Sequence, residues 1–208
     1  MSYKKINILS FDTETLGLDD PNFSVNQIIE FGVVPATIII DEYQGVELEI
    51  HDNHFHRFIK CPSFDTLKPE LVPWVIEHNK GLIDTAHEIG IDDVDFVLEL
   101  GDYLTKMKAE LFEEGEDLLF LGKSMQSLDA PIMTKHLGWK FMEKWGVHRN
   151  KVDVQDVARF LIHQGKLPLE SASSRALVEF FGIKEDVNHT AIDDSVDMLK
   201  IYAELLKY

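Results

Sequence analysis

The sequence predicts an α/β protein with a mixed β-sheet of about five strands, an antiparallel N-terminal meander and helices on both sides of the sheet. The N-terminal part contains three runs of apolar and β-branched residues that are joined by short turns. Residues 118–121 form a short, wholly apolar run of the kind found in a central strand buried on both faces. Beyond this run, helical and strand-like patterns alternate, which is typical of an α/β arrangement.

Length and composition place the chain among ordinary globular proteins. Its 208 residues are enough for a sizeable core, so we expect a single domain over residues 1–208. Hydrophobic residues make up 45% and charged residues 27%, and no apolar run is long enough to span a membrane. Cys61, the one cysteine, cannot form an internal disulfide, which fits a reducing cytoplasm. We therefore predict a cytoplasmic protein with no membrane partner.

The formal net charge of −17 restricts how this protein could bind nucleic acid. Proteins that grip long duplexes present a broad basic surface that releases counterions from the phosphates. An acidic chain lacks that surface, but it can still bind the end of a strand if metal ions neutralise the phosphates. The charge therefore argues against extended, non-specific DNA binding and leaves a metal-dependent nuclease open.

The first predicted strand carries two acids. Residues 6–10 read as a buried strand, and Gly17 indicates where the chain turns away. Residues two apart on a strand share a face, so Asp12 and Glu14 project together and Thr13 points to the other face. Neighbouring carboxylates repel each other and resist desolvation, whereas Mg²⁺ or Mn²⁺ between them would stabilise the pair.

Two more strands complete the predicted meander. Residues 27–40 are rich in Ile, Val and Phe, with Pro35 marking a bend or an edge feature, and residues 46–50 alternate apolar with polar. The histidines that follow lack a carboxylate or cysteine at ligand spacing, so we interpret them as polar surface positions on a strand. These are His51, His54 and His56.

Helical patterns begin after Cys61. Residues 69–78 look helical and contain Trp74, which is most simply a core residue but could also stack on a nucleobase. Asp92 is placed to cap an amphipathic helix that ends before Gly115. Further along, Pro131 suits the first turn of a helix, which makes Asp129 a plausible cap.

Two more segments precede the last helix. Residues 152–162 read as a strand leading into a helix, and residues 176–181 as a short helix ended by Gly182. Asp153 and Asp156 are spare acids near one another, and helix capping with first-turn charge is their simpler role.

The last predicted helix starts at Ala191 and has a broad apolar face. Four charged residues cover the opposite face: Asp193, Asp197, Lys200 and Glu204. Asp194 does not join them, because at 100° per residue it falls on the border of the apolar sector. An acid in that position is costly unless something compensates its charge.

Three segments, in this order, resemble the motifs of the DEDDh superfamily of ribonuclease H-like 3′–5′ exonucleases. They are Phe11-Asp12-Thr13-Glu14-Thr15, Ser127-Leu128-Asp129 and His189-x-Ala191-x-x-Asp194. The second segment lacks the Asn that often precedes its Asp in the family. The resemblance spans most of the chain and looks closest to small phage DNA exonucleases, which places the protein in the host cytoplasm if a phage encodes it.

The resemblance implies a set of roles for these residues. Two divalent cations, Mg²⁺ or Mn²⁺, would lie roughly 4 Å apart and act on a water, the scissile phosphate and the leaving oxygen. Asp12 would bridge both ions, Glu14 and Asp194 would hold the ion that carries the water, and Asp129 would serve the second ion. His189 would be the general base, because the unperturbed pKa of histidine is near working pH.

Substrate contacts are also implied by the resemblance. Thr15, Leu16 and Gly17 follow the metal strand and would touch the terminal nucleotide, with Trp74 and His78 as the facing wall. The expected partner is the 3′ end of a single-stranded nucleic acid, with DNA favoured over RNA. Sugar discrimination depends on pocket geometry around the 2′ position, which the sequence does not give.

Two other functions, a catalytically silent binding protein and a calcium-binding loop, fit the sequence less well. A catalytically silent homologue could bind nucleic-acid ends or another protein, and the complete set of four acids and a histidine argues against it. A calcium-binding loop at Asp12 is excluded, because Phe23 occupies the position where a bidentate Glu is required. The leading prediction is a metal-dependent 3′–5′ exonuclease that releases nucleoside monophosphates.

Overall fold

A mixed β-sheet forms the centre of the protein, as the sequence predicts. The computed structural model describes residues 3–18, 24–43, 45–183 and 190–208. Its strands are β1 (Tyr3–Thr15), β2 (Ile28–Asp41), β3 (Gly45–Ile50), β4 (Phe55–Phe58), β5 (Phe120–Gly122) and β6 (Lys151–Asp153). They are arranged in the order β3-β2-β1-β5-β6, and β4 also pairs with β2. The first three strands are antiparallel, whereas β5 runs parallel to both β1 and β6.

Helices cover both faces of this sheet. They are α1 (Phe64–Leu67), α2 (Pro73–His78), α3 (Lys80–Ile89), α4 (Asp93–Leu111), α5 (Asp129–Leu137), α6 (Trp139–Lys144), α7 (Val154–His163), α8 (Ser174–Phe181) and α9 (Ala191–Leu205). The predicted fold class is therefore confirmed, with β4 as a strand beyond the five expected. None of the described helices combines the length and the apolar character needed to cross a membrane.

Strand alternation divides the core into two layers. On one face of the sheet, an aromatic cluster packs beneath α4 and α5; it includes Phe11, Phe31, Phe55, Phe96 and Phe120. On the other face, smaller side chains such as Ile8 and Val34 pack against α7, α8 and α9. Asp12 and Glu14 are in phase with Ile8, so they face α9, and Thr13 is in phase with Phe11.

Helix α9 lies unusually close to the sheet because small residues line the contact. Gly32 is paired with Asp12 across β1 and β2. A Cβ atom at Gly32 would lie 2.7 Å from the backbone carbon of Ala191 and 2.9 Å from the backbone nitrogen of Ile192. Ser195, one turn further along α9, is fully buried and donates its hydroxyl proton to the Ala191 carbonyl. The first turn of α9 can therefore approach β1 and β2 only because residue 32 has no side chain.

Several local predictions are wrong, and each has a physical reason. Helix α2 begins at Pro73 rather than at residue 69, because a proline at position 73 lacks the backbone N–H that the interior of a helix starting at residue 69 would need. Asp129 is not a cap but the first residue of α5. Asp197, assigned to the polar face of α9, is 4% exposed and forms an ion pair of 3.4 Å with Lys200. Asp153 does cap α7, accepting a hydrogen bond from the backbone nitrogen of Gln155.

Candidate active site

The site lies at the carboxyl end of β1. The pairing of β1 with β2 stays in register as far as Glu14 and shifts between Glu14 and Thr15. An irregularity of this kind ends regular pairing and redirects the chain, and such features occur often beside active sites. Asp12 and Glu14 are therefore held by the sheet, while Thr15, the last residue of β1, and Gly17, beyond the strand, also line a cavity.

Helix α9 brings a third acid to this strand end. The helix begins after Thr190, whose side chain accepts a hydrogen bond from the backbone nitrogen of Asp193. This cap fixes the first turn, where Asp194 is located. One carboxylate oxygen from each of Asp12, Glu14 and Asp194 lies within 4.8 Å of the others. The acid that the sequence pattern placed on the border of the apolar face thus meets the two acids of β1.

Asp129 reaches the same strand end from the opposite face of the sheet. It is 5% exposed at the start of α5. Its Oδ1 atom accepts a hydrogen bond of 2.7 Å from the Thr13 hydroxyl, so a side chain of β1 holds it directly. Asp129 is outside the group of three acids that share the 4.8 Å spacing. The structure therefore separates a trio of carboxylates from a fourth that is anchored nearby.

Burial and repulsion between charges raise the pKa values of Asp12, Glu14 and Asp129. For Asp12, desolvation raises the pKa well above its ordinary value, and the charges of Asp129, Glu14 and Asp194 raise it further. Desolvation and the charge of Asp194 raise the pKa of Glu14 from 4.5 to about 7. The pKa of Asp129 rises from 3.8 to about 6 through burial, although the hydrogen bond from Thr13 opposes the change.

This arrangement is one that a divalent cation would stabilise. Carboxylates that crowd together in a partly buried site are penalised when charged, and a cation bound among them removes that penalty. The converging atoms are all carboxylate oxygens, the ligand type that Mg²⁺ and Mn²⁺ prefer. The residues present therefore fit a divalent metal site formed by Asp12, Glu14 and Asp194, with Asp129 beside it.

A cavity of about 470 Å³ opens beside the acids. Its volume is within the range of small-molecule sites. The acids lie at one end, and apolar side chains form much of the remaining wall. Those apolar residues are Leu18, Val72, Trp74, Val75, Leu128, Ile132 and Met198.

Trp74 is exposed in the wall of this cavity rather than buried in the core. It is 57% exposed, and its ring stacks on the ring of His78 with centroids 4.7 Å apart and planes 16° from parallel. Asn79, which follows α2, is buried and donates a hydrogen bond of 3.2 Å to the Thr15 carbonyl. This bond ties the Trp74 wall to the end of the strand that carries the acids.

The structure separates the predicted substrate contacts. Thr15, Gly17 and Trp74 line the cavity. Leu16 does not line the cavity; it is 1% exposed and packs in a core cluster with Ile29 and Val75. His78 supports the Trp74 ring without itself lining the cavity. The predicted base, His189, lies outside the described residues, and it immediately precedes Thr190 in the sequence.

Sequence reasoning missed four residues near the acids. Lys123 follows β5, whose parallel pairing with β1 brings its carboxyl end beside Asp12. Asn79 and Gly32 act through the contacts described above. Glu30, on β2 directly opposite Glu14, is 1% exposed and hydrogen-bonded at 2.6 Å to His56. His56 is therefore more than a polar surface position. A charged residue within an apolar strand was the available signal for Glu30.

Comparison with known proteins identifies structural neighbours only. No protein-family model and no curated protein sequence matches this chain. The fold is similar to that of cell-death related nuclease 4 (CRN-4), with a TM-score of 0.60, 16% identity and 96% of this chain covered. This chain spans 63% of the length of CRN-4.

Two structures of Pop2 are also similar. The Mg²⁺- and Mn²⁺-bound form of S. pombe Pop2p has a TM-score of 0.60 and 15% identity, covering 95% of this chain and 82% of Pop2p. The RNase domain of yeast Pop2 has a TM-score of 0.62 and 16% identity, covering 95% of this chain and 76% of that domain. At these identities the likeness establishes a shared fold, the one found in these ribonuclease H-like nucleases.

Proposed function

We propose that this protein is a metal-dependent 3′–5′ exonuclease of the DEDDh superfamily. The observation that carries the proposal is the meeting of Asp12, Glu14 and Asp194 beside a cavity large enough for a nucleotide. Folding alone does not favour three acids at this distance. Burial removes water from the carboxylates and their charges repel one another, so both effects make ionisation less favourable. The shared fold with nucleases, one of them described with Mg²⁺ and Mn²⁺ bound, supports the same conclusion.

The positions of the acidic side chains support the roles that the sequence resemblance implies. Bound divalent cations, two by the resemblance, would supply Lewis-acid stabilisation of the phosphate and an activated water. Asp12, Glu14 and Asp194 offer the oxygens that would hold the first cation. Asp129, which accepts a hydrogen bond from Thr13, would serve the second cation. The trio and Asp129 are thus carried by a strand and two helices, β1, α9 and α5, rather than by loops.

His189 is the proposed general base. In the sequence it immediately precedes Thr190 and lies five residues before Asp194. Its imidazole must be neutral to accept a proton, so activity should increase as the pH rises through its pKa. His189→Ala should lower turnover by about two to four orders of magnitude while metal binding survives. Single-turnover cleavage across pH, with metal titration of the same variant, measures both effects.

The proposed substrate is the 3′ end of a single strand, with DNA favoured over RNA. An exposed indole beside the cavity suits stacking on a terminal base, because every base offers a π-face. The net charge of −17 is unsuited to a long duplex footprint. A cytoplasmic protein with one catalytic domain over residues 1–208 completes the proposal.

The decisive experiment compares end-labelled DNA and RNA oligomers of the same sequence in Mg²⁺, in Mn²⁺ and in excess chelator. We expect stepwise shortening from the 3′ end, release of nucleoside monophosphates, and no cleavage in chelator. Asp12→Asn should reduce cleavage by at least about 1,000-fold, since metal stabilisation of the transition state is worth several kcal/mol. Full activity in chelator, or wild-type activity of Asp12→Asn, contradicts the proposal. Binding to 3′ ends without cleavage favours the silent homologue.

A further inference from the structure

A single lysine lies among the carboxylates of the cavity. Among the described residues that line the cavity, Lys123 is the only Lys or Arg. It is half-buried in the turn that follows β5. Its positive charge lowers the pKa values of both Asp12 and Asp129. The ammonium group therefore interacts electrostatically with acids on both faces of the sheet.

The ammonium group of Lys123 has no close polar partner among the described residues. Within the described ranges, no hydrogen bond or salt bridge joins its Nζ atom to another residue. Other lysines do form ion pairs at the surface, for example Lys80 with Asp84, Lys106 with Glu110 and Lys207 with Glu204. An ammonium group in a half-buried site loses part of its hydration. A bound anion would compensate for that loss by accepting hydrogen bonds from it.

The turn that carries Lys123 is held in place. Ser124 has a positive φ of 52°, and its hydroxyl donates a hydrogen bond of 2.9 Å to Gln155. The backbone nitrogen of Met125 donates a hydrogen bond of 2.9 Å to Asp153. Gly122 leaves no room for a side chain, because a Cβ there would lie 2.7 Å from Met125. Lys123 therefore projects from a fixed backbone rather than from a mobile loop.

We propose that Lys123 binds the scissile phosphate of the substrate, which becomes the 5′-phosphate of the released nucleotide. This inference rests on the proposed function. Four carboxylates beside divalent cations leave little net positive charge for a phosphodiester, and Lys123 supplies one from the protein itself. As a compact point charge on a flexible stem, lysine suits a phosphate oxygen. Lys123 would be a substrate-binding residue that distinguishes phosphorylated from neutral ligands.

The test measures binding of product rather than turnover. The full chain in Mg²⁺ is titrated with thymidine 5′-monophosphate, adenosine 5′-monophosphate and the two free nucleosides, using calorimetry. Lys123→Met should weaken nucleotide binding by about 10-fold or more, since a charge-assisted hydrogen bond is lost, while nucleoside binding is unchanged. Lys123→Arg should restore most of the affinity. Lys140→Met, an exposed lysine on α6, is the matched control.

The outcomes separate this inference from the proposed function. An unchanged ratio of nucleotide to nucleoside affinity in Lys123→Met overturns the role of Lys123, even if the wild-type protein is an active exonuclease. So does the absence of nucleotide binding by the wild type. Lys123-dependent nucleotide binding in a protein that cleaves nothing supports the phosphate site and contradicts the exonuclease. If Lys123 only offset the acids, Lys123→Met would lower the metal-free Tm and leave the affinity ratio unchanged.

Discussion

The two ends of the cavity are built in opposite ways. At the acid end, Asp12, Glu14 and Asp194 are half-buried and held by a strand and a helix that meet at backbone contact distance. At the other end, Trp74 is 57% exposed on the short helix α2. Rigid backbone contacts suit groups that must be positioned within a few tenths of an ångström, whereas an exposed ring suits a surface that accepts different bases.

This difference predicts that the acid end determines catalysis and that the Trp74 end determines substrate binding, a separation of roles between the two ends. Changes at the acid end should alter metal affinity and kcat, because they displace the groups that act on the phosphate. Changes at the Trp74 end should alter KM, because they remove binding that is the same in ground state and transition state. The following variants test whether the two ends behave independently.

Gly32→Ala should have the largest effect among these variants. The added Cβ would overlap the backbone of Ala191, so α9 must move and carry Asp194 with it. We expect about a 100-fold loss of turnover, the size associated with a displacement near 1 Å. Metal affinity, measured by Mn²⁺ titration, should fall in parallel. Gly81→Ala is the control, because nothing lies within 4 Å of its added Cβ. Wild-type metal affinity in Gly32→Ala would show that the close approach of α9 is not required.

Trp74→Ala should raise KM by about 5- to 100-fold, the range that corresponds to losing one stacked base. kcat and Mn²⁺ affinity should stay close to wild type, and Trp74→Phe should retain part of the binding. Trp139 offers a matched control, since it is 55% exposed and its ring also lies beside a histidine, at 4.8 Å from His148. Trp139→Ala should leave KM unchanged. A fall in kcat alone for Trp74→Ala would contradict the separation of roles between the two ends.

Thr13→Val tests how Asp129 is held. The substitution keeps the shape and removes the hydroxyl that donates to Asp129, so the pKa of Asp129 should rise further. We expect about a 10-fold loss of kcat from one hydrogen bond to a charged group, with the acidic limb of the pH profile moved to higher pH. Thr13→Ser keeps the donor and should behave as wild type. Identical profiles for the Val and Ser variants would remove Thr13 from the site.

The smallest effect concerns stability without metal. In the folded protein the pKa of Glu14 is raised from 4.5 to about 7, so the folded state binds more protons than the unfolded state in that interval. The contribution of Glu14 to the free energy of unfolding is therefore present below pH 4.5 and is lost as the pH rises to about 7. In chelator, the Tm of wild type should fall by a few degrees relative to the Tm of Glu14→Gln as the pH rises from 4.5 to about 7. Mg²⁺ should reverse this difference in Tm. Curves of Tm against pH that stay parallel for the two proteins in chelator would contradict the prediction.

The sequence predicted features that depend on local periodicity. Strand alternation placed Asp12 and Glu14 on one face, and helical periodicity singled out Asp194 as an acid in the wrong sector. The structure then joins these residues at one point. Those signals are strong because a strand or helix repeats its environment along the chain, so an exception to the pattern is visible.

Features that depend on contacts between distant elements could not be predicted in this way. Nothing local distinguishes Gly32 from a glycine in any strand, because its role is set by Ala191 across the sheet. Trp74 reads as a core residue by composition, yet it is 57% exposed on α2, because burial depends on which elements pack against that helix. The surroundings of Lys123 depend on β5 running parallel to β1, which the sequence does not specify.

The contact of α9 with β1 joins residues that are far apart in sequence. Asp12 and Asp194 are separated by about 180 residues, so their meeting closes one of the longest loops available to the chain and carries a correspondingly large loop-closure entropy cost. A divalent ion bound by both therefore recognises only chains in which that closure has taken place, and it stabilises them by mass action. Hydrogen exchange of the α9 amides should slow when Mg²⁺ is added. Incompletely folded chains would consequently have neither the bound ion nor the proposed hydrolytic activity.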